Sequence, residues 1–250
     1  MLKRKSTTGT KKKILQVASV LFSQKGFRAT TIADICRLAG TNIASVNYHF
    51  GDKKTLYVEA WRESFRHSHE KHPPDGGVAA DAPAEERLRG WVASLLRRIT
   101  DPDCYDFEIV HMEMVNPTGH LFDAFKEVID PMGEGLVLIL GQLLGKKASD
   151  DDIRLCEMSI RSQCMNPMVF GKRHKGSEQN LPLPRPPSLD VEVERIADHV
   201  IRFTLEGLPG VRRHIEARKH RHNTSHKTCR ADGMELRKNG TKTARRTAEG

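Results

Sequence analysis

Apolar residues recur at helical spacing almost from the start of the chain. Ile14, Val17, Ala18, Leu21 and Phe22 fall at i, i+3, i+4, i+7 and i+8, the stripe of an amphipathic helix beginning near Thr10. Lys25 and Gly26 predict its end, because glycine readily takes the left-handed conformation of a C-cap. Thr31, with Asp34 three positions on, predicts an N-cap. Ile32, Ile35, Cys36 and Ala39 then form the buried stripe of a second, short helix that Gly40 stops. Thr41 or Asn42 can cap a third, whose packed side is expected to be Ile43, Val46 and Phe50. Asp52 caps a fourth, running through Leu56, Tyr57, Ala60, Trp61 and Ser64. Short helices in this order, the second and third joined by a tight glycine-containing turn, have the sequence form of a helix-turn-helix.

The stretch from His72 to Pro83, "HPPDGGVAADAP", interrupts the pattern and predicts a linker or domain joint. Beyond it, Leu88, Trp91, Val92, Leu95, Leu96 and Ile99 restore the helical period. Further helices are expected at about 107–115, 121–129, 132–144, 151–165 and 191–208. No stretch alternates with period two, so the fold class is all-α, with a Pro-rich loop over 171–188. After Pro209 and Gly210 the apolar period fades, and a short helical extension near 212–220 followed by disorder is expected. The resulting division is a basic flexible arm at 1–9, a DNA-binding unit at 10–57 and a connecting helix and linker at 58–82. A further helical unit follows at 83–210, then a basic tail at 211–250.

Charge sharpens this division. The formal net charge is +9, with +6 in residues 1–13 and +8 in residues 211–250, which leaves the middle of the chain at −5. Two basic arms flanking an acidic body can attract phosphate. Five scattered cysteines (Cys36, Cys104, Cys156, Cys164, Cys229) without a C-x-x-C pair argue against a disulfide framework or zinc knuckle, leaving a redox role for Cys156 or Cys164 as the minor alternative. The longest apolar run, Leu136 to Leu140, is far short of the roughly 20 residues a bilayer requires. With no apolar signal core in view, a cytoplasmic protein is expected.

On the third helix, Asn42, Ser45 and His49 lie on a stripe beside the packed one, with Tyr48 next to Ser45. Short polar side chains near the N-terminus of a helix suit base edges in a major groove, while hydroxyl and imidazole groups suit the phosphate backbone. Lys53 stands in the first turn of the fourth helix, where a cation is mildly unfavourable unless an anion sits there too. Together with the helix amides it forms a candidate phosphate site.

The segment "ILQVASVLFSQKGFRATTIADICRLAGTNIASVNYHFGDKKTLY", Ile14 to Tyr57, resembles the N-terminal domain of the TetR/AcrR family of transcriptional regulators. The features that carry the likeness are LF followed by KGF, paired threonines Thr30 and Thr31 before I-x-D-I, the A-G turn, Y-H-F, and lysine two residues past Gly51. The resemblance implies a homodimer on a palindromic double-stranded DNA operator, released when a small-molecule effector binds the C-terminal domain. It implies that Thr31 contacts phosphate, that Thr41, Asn42, Ala44 and Ser45 lie along the groove, and that Tyr48, His49 and Lys53 hold the backbone. Ala44 and Asn47 depart from the glycine and tyrosine common in the family, so operator sequence cannot be borrowed from relatives.

Glu108 to Phe125, with "IDPMGEGLVLILGQLLG" and "IADHVIRFTLEGL", resembles the C-terminal domain of the CecR-like branch. That likeness makes residues 151–166 and 191–208 the dimer-forming pair, burying Ile153, Ile160, Ile196, Val200, Phe203 and Leu205 across a two-fold axis. An apolar pocket between helices has Trp91, Phe107, His111, Met112, Met114 and Met158 as candidate liners, although each also fits a core position. His69 and His72 share a helix face but lack a third ligand, so no metal site is assigned, and no cofactor is implied. Phosphate-binding, nucleophile-elbow and zincin motifs are absent, which leaves a non-specific nucleic-acid packager as the main alternative and catalysis as a remote one.

Overall fold

The computed structural model describes residues 3–170 and 191–243, with side chains described at 9–128, 134–165 and 191–218. The Pro-rich loop and the side chain of Cys229 lie outside these limits. The described residues are helical with no strand: α1 Lys3–Ala29, α2 Ile32–Ala39, α3 Ile43–Phe50, α4 Lys53–Lys71, α5 Ala84–Thr100, α6 Asp106–Val115, α7 Phe122–Leu144, α8 Asp150–Phe170 and α9 Val193–Thr243.

Three helix limits differ from the periodicity. The backbone of α1 is helical from Lys3, so the stretch expected as a flexible arm continues the first helix. Residues 121–129 and 132–144 are one helix, α7, whose backbone stays helical through Pro131. Likewise α9 is helical through Thr243 where disorder was expected, with Pro209 inside it and no later proline to stop it. The predicted stop at Gly26 is present as a kink, with φ 71° and ψ 179°. Thr30, fully buried, donates its hydroxyl to the carbonyls of Gly26 (2.8 Å) and Leu21 (3.2 Å), satisfying oxygens that the kink releases from the helical ladder.

Two apolar clusters hold the chain together. One joins Ile14, Ala18 and Phe22 of α1 to Ile35 and Ala39 of α2, Val46 and Phe50 of α3, and Leu56, Tyr57 and Trp61 of α4. It also takes in Ile109 of α6, Leu121, and Ala124 of α7, so the core does not divide at residue 83. The other is built by Leu88, Val92 and Leu96 of α5, Leu136 and Leu140 of α7, Ile160 and Cys164 of α8, and Val200 and Ile201 of α9. Between the clusters run α4 and α6, and α6 touches both α1 and α4.

The joint after α4 is pinned to the fold. Gly76 has φ 65°, and a Cβ there would lie 2.3 Å from the Gly90 carbonyl oxygen, while a Cβ on Gly90 would lie 2.5 Å from that of Asp75. Glycine at both positions lets the loop lie flat on α5. Ser94 donates its hydroxyl to the Pro73 carbonyl at 2.5 Å, closing the same contact.

Candidate nucleic-acid interface and ligand cavity

The reading head is assembled by bonds within single turns. Thr31 accepts the Asp34 amide at 3.0 Å and donates its hydroxyl to the Asp34 carboxylate at 2.9 Å. Those bonds, with the Arg37 ion pair, hold the Asp34 carboxyl below its ordinary range. Gly40 ends α2 in the left-handed region (φ 60°, ψ 43°). Asn42 caps α3, its side-chain oxygen accepting from the Ser45 amide (2.8 Å) and the Ser45 hydroxyl (3.0 Å). Val46 and Phe50 then bury one side of α3.

Ile43, expected on that packed side, is 54% exposed. It points coreward by angle, but as the first residue of α3 it lies outside the core cluster. The outermost stripe of α3 is therefore Ile43, Ala44, Asn47 and Tyr48, the last 78% exposed. Thr41, Ser45 and His49 are half-buried beside it, and the His49 ring meets Tyr48 edge-on at 5.1 Å. Spacing of i, i+1, i+4 and i+5 from Ile43 was the available signal for this stripe; the apolar side chain concealed it.

Lys53 does not simply extend into solvent. Its Nζ lies 4.4 Å from the centre of the Phe27 ring, and partial burial lowers its pKa. Asp52 caps α4, accepting the Thr55 amide at 2.7 Å, which lowers the Asp52 pKa as well. An acid of the chain itself thus occupies part of the helix end. Lys11 lies over Phe50, its Nζ 5.7 Å from the ring centre.

Behind the head is a cavity of about 290 Å³ whose wall draws on five helices. Trp61 and Phe65 come from α4, Trp91 and Arg98 from α5, Phe107, Val110 and Met114 from α6, Phe125 from α7, and Arg161 from α8. Of the expected liners, Trp91, Phe107 and Met114 are here. His111 and Met112 are not among the wall residues; Met112 packs on the α1 kink, its Cε 3.1 Å from where a Gly26 Cβ would be. Met158 is exposed on the outside of α8.

A buried polar chain closes one side of this cavity. Arg98 donates through Nε (3.2 Å) and Nη2 (2.7 Å) to Asp106, both side chains nearly inaccessible. Ser68 donates to the other Asp106 oxygen. His69 Nδ1 lies 2.7 Å from the Phe65 carbonyl, which makes it the donor nitrogen, so Nε2 accepts from Arg98 Nη1 at 2.8 Å. Burial, followed by the Arg98 charge, lowers the His69 pKa and keeps the ring neutral. Sequence spacing gave no sign of this chain, because its members come from α4, α5 and α6.

A second polar group ties α6 to the head. Glu113 accepts from the Tyr57 hydroxyl (3.0 Å), the amides of Thr118 and Gly119, and the Thr118 hydroxyl. Burial, then the Glu113 charge, pushes the Tyr57 pKa well up. Arg28 donates to the Pro117 carbonyl and Phe27 meets His120 edge-on at 4.6 Å, so the loop between α6 and α7 grips the end of α1.

His69 and His72, paired by sequence spacing, go separate ways. His72 Nε2 lies 2.7 Å from Asp101, and His72, Asp101 and Cys104 bring ligand-type atoms within 4.8 Å of one another. Asp101 is already engaged by Lys71 at 2.8 Å. Burial raises the pKa of Cys36, Cys104 and Cys156, and takes Cys164 up to about 12, the opposite of what a reactive thiol needs.

Of the expected dimer residues, Ile160 and Val200 are buried in the chain's own second core, and Ile153, Ile196 and Leu205 pack against it. Phe203 of α9 is 63% exposed, and Leu155 and Met158 of α8 are exposed as well.

Comparison with known proteins places this geometry. A family model described as "Bacterial regulatory proteins, tetR family" matches residues 14–60, and one described as "HTH-type transcriptional dual regulator CecR, C-terminal domain" matches residues 84–208, half of the chain. The chain is a TetR-family transcriptional regulator with a CecR-type C-terminal domain. CecR of Shigella flexneri is 27% identical over 150 residues, covering 56% of this chain and 67% of that protein. AcrR of Shigella flexneri is 40% identical over 55 residues, which covers 22% of this chain and only 26% of its own length. In the same fold, AibR in complex with isovaleryl coenzyme A and operator DNA superposes with a TM-score of 0.59 at 17% identity, over 77% of this chain and 96% of that one. Among the described residues no helix of this regulator is long and apolar enough to cross a membrane.

Proposed function

We propose that this regulator represses transcription as a cytoplasmic homodimer, binding a palindromic operator through α3 and leaving it when a small molecule fills the cavity. One observation carries the reading: the cavity wall includes Trp61 and Phe65 of α4, the helix that continues directly from the reading head. A molecule seated there touches the head's support and the C-terminal helices together. If its affinity differs between two settings of those helices, it shifts the population between them.

On the DNA side, Ile43, Ala44 and Asn47 are the base-facing edge, with Asn42 and Ser45 fixing the first turn of α3 behind it. Thr31, Thr41, Tyr48, His49 and Lys53 hold the flanking phosphates. An exposed isoleucine beside an alanine suits thymine methyl groups, and Asn47 can bond an adenine edge. Pairing two copies through Leu155, Met158 and Phe203 would cover apolar surface that the single chain leaves open and set two heads on one duplex face.

Selection of bound duplexes from a random pool, followed by footprinting, tests the proposal. The expected product is one sequence with two half-sites, protected together, and displaced by a compound that also raises the protein's melting temperature. Uniform retardation of every duplex would instead make the chain a packager, and a single protected half-site would remove the dimer.

A further inference from the structure

The cavity's chemistry is specific enough to name a class of ligand. Its wall carries five aromatic side chains, from Trp61, Phe65, Trp91, Phe107 and Phe125, and three charged groups, Arg98, Asp106 and Arg161. Arg98 and Asp106 neutralise each other. Arg161 is ion-paired as well, with Glu157, but through Nε alone, and its side chain is 38% exposed. Its Nε donates to Glu157, one turn back on α8, at 2.8 Å, and its guanidinium lies over Trp91 at 5.1 Å. Neither terminal nitrogen of Arg161 has a partner among the described residues. A second observation points the same way: Trp61 is 1% exposed, and its indole N–H is buried without an acceptor. A buried donor left unpaired is costly, so an occupant that supplies an acceptor oxygen gains by it.

A cation is disfavoured here although the rings would suit one. The faces of Phe65 and Phe107 are already taken by Arg98 (5.2 Å and 4.6 Å), and that of Trp91 by Arg161. At about 290 Å³ the space is at the small end of ligand pockets. We infer that the cavity binds a small monoanionic aromatic acid, its ring system among the aromatic walls and its carboxylate on the terminal nitrogens of Arg161, with Trp61 donating to an acceptor oxygen. This inference rests on the cavity being the effector site. The planar, forked guanidinium can hold a carboxylate through two parallel hydrogen bonds.

Calorimetry on the full chain tests it with three probes of one shape: 2-naphthoate, 2-naphthamide and 2-naphthylmethylammonium. The expected order is acid tightest, amide at least tenfold weaker and ammonium without measurable binding. Arg161→Gln should weaken 2-naphthoate at least tenfold while leaving the amide unchanged, and a thermal melt of the variant confirms that it folds. No saturation by 2-naphthoate up to millimolar concentration, equal affinity for acid and amide in the native chain, or an Arg161→Gln variant that still binds the acid as well would each overturn the assignment. The native-chain comparison of acid with amide stands even if the variant does not fold. Operator release is read separately by gel retardation. Acid binding without release keeps the ligand class and removes the effector reading; release by neutral or cationic compounds alone does the reverse.

Discussion

The reading head and the cavity wall make their polar contacts over very different distances along the chain. In the head, Thr31 bonds Asp34, Asn42 bonds Ser45 and Asp52 bonds Thr55, each three residues away. In the wall, Ser68 reaches Asp106 and Arg98 reaches His69, and between the head and α6 Tyr57 reaches Glu113, 56 positions on. Local bonds survive any rigid-body motion of the unit that contains them. Long-range bonds depend on how α4, α5 and α6 are set against one another. The caps of the reader are local, while its ties to α5 and α6 are long-range.

The largest expected effect separates the two regions directly. Asp106→Ala strands the buried Arg98 guanidinium and should cost about 3–5 kcal/mol of unfolding free energy in urea titrations, the range for breaking a buried ion pair from one side. A loss below about 1 kcal/mol would mean that the wall tolerates an unpaired charge and is not the cooperative element described here.

Glu113→Ala comes next. It removes the acceptor that joins Tyr57 to the loop at Thr118 and Gly119, and should cost about 1.5–3 kcal/mol, in the range for hydrogen bonds to a charged group. Because those bonds connect head to α6, operator affinity should also become less sensitive to a cavity ligand. An unchanged ligand response would move the coupling elsewhere.

Within the head the effects should be smaller and cleanly divided. Asn42→Ala loses a helix cap and should destabilise by about 1 kcal/mol. Asn47→Ala, on the exposed stripe, should stay within about 0.5 kcal/mol in stability yet change which operator is selected. If Asn47→Ala weakened all operators alike, that residue would belong with the phosphate contacts.

The smallest effect is the pH dependence from His69. Its folded pKa is lowered from 6.5 by burial and by Arg98, so the unfolded chain takes up a proton first as pH falls. The contribution is fully present above pH 6.5 and is lost as pH drops toward the folded value. Urea midpoints of the native chain should therefore fall with pH below 6.5, before carboxylates titrate, and His69→Gln should flatten that limb. Equal slopes would show that the ring is not shielded as described.

Much of the head was legible in the residues themselves. The caps at Thr31, Asn42 and Asp52, the stop at Gly40 and the buried pair Val46 and Phe50 all depend on neighbours within two turns. Ile43 was misplaced because, as the first residue of α3, it lies outside the core cluster despite its angular position. In the C-terminal half Trp91, Phe107 and Met114 were legible as candidate liners because large apolar side chains mark interior positions, but Met112 and Met158 share that pattern without lining the cavity. Trp61, Arg98, Asp106 and Arg161 carried no signal as liners. Trp61 fits a helix stripe, and the others read as ordinary charged residues on separate helices.

By itself, then, the order of residues determined the helices of the reader and its turn, since these follow from hydrogen bonds and periodicities spanning a few positions. The kind of regulator was legible only through the likeness of Ile14 to Tyr57 to a known family. Tertiary packing decided which stripe of α3 faces outward, that Lys53 rests on Phe27, and that Arg98 and Asp106 neutralise each other while Arg161 keeps its terminal nitrogens open. The physical reason is range: a cap is complete within one turn, whereas a cavity exists only once helices far apart in the chain have packed and left space between them.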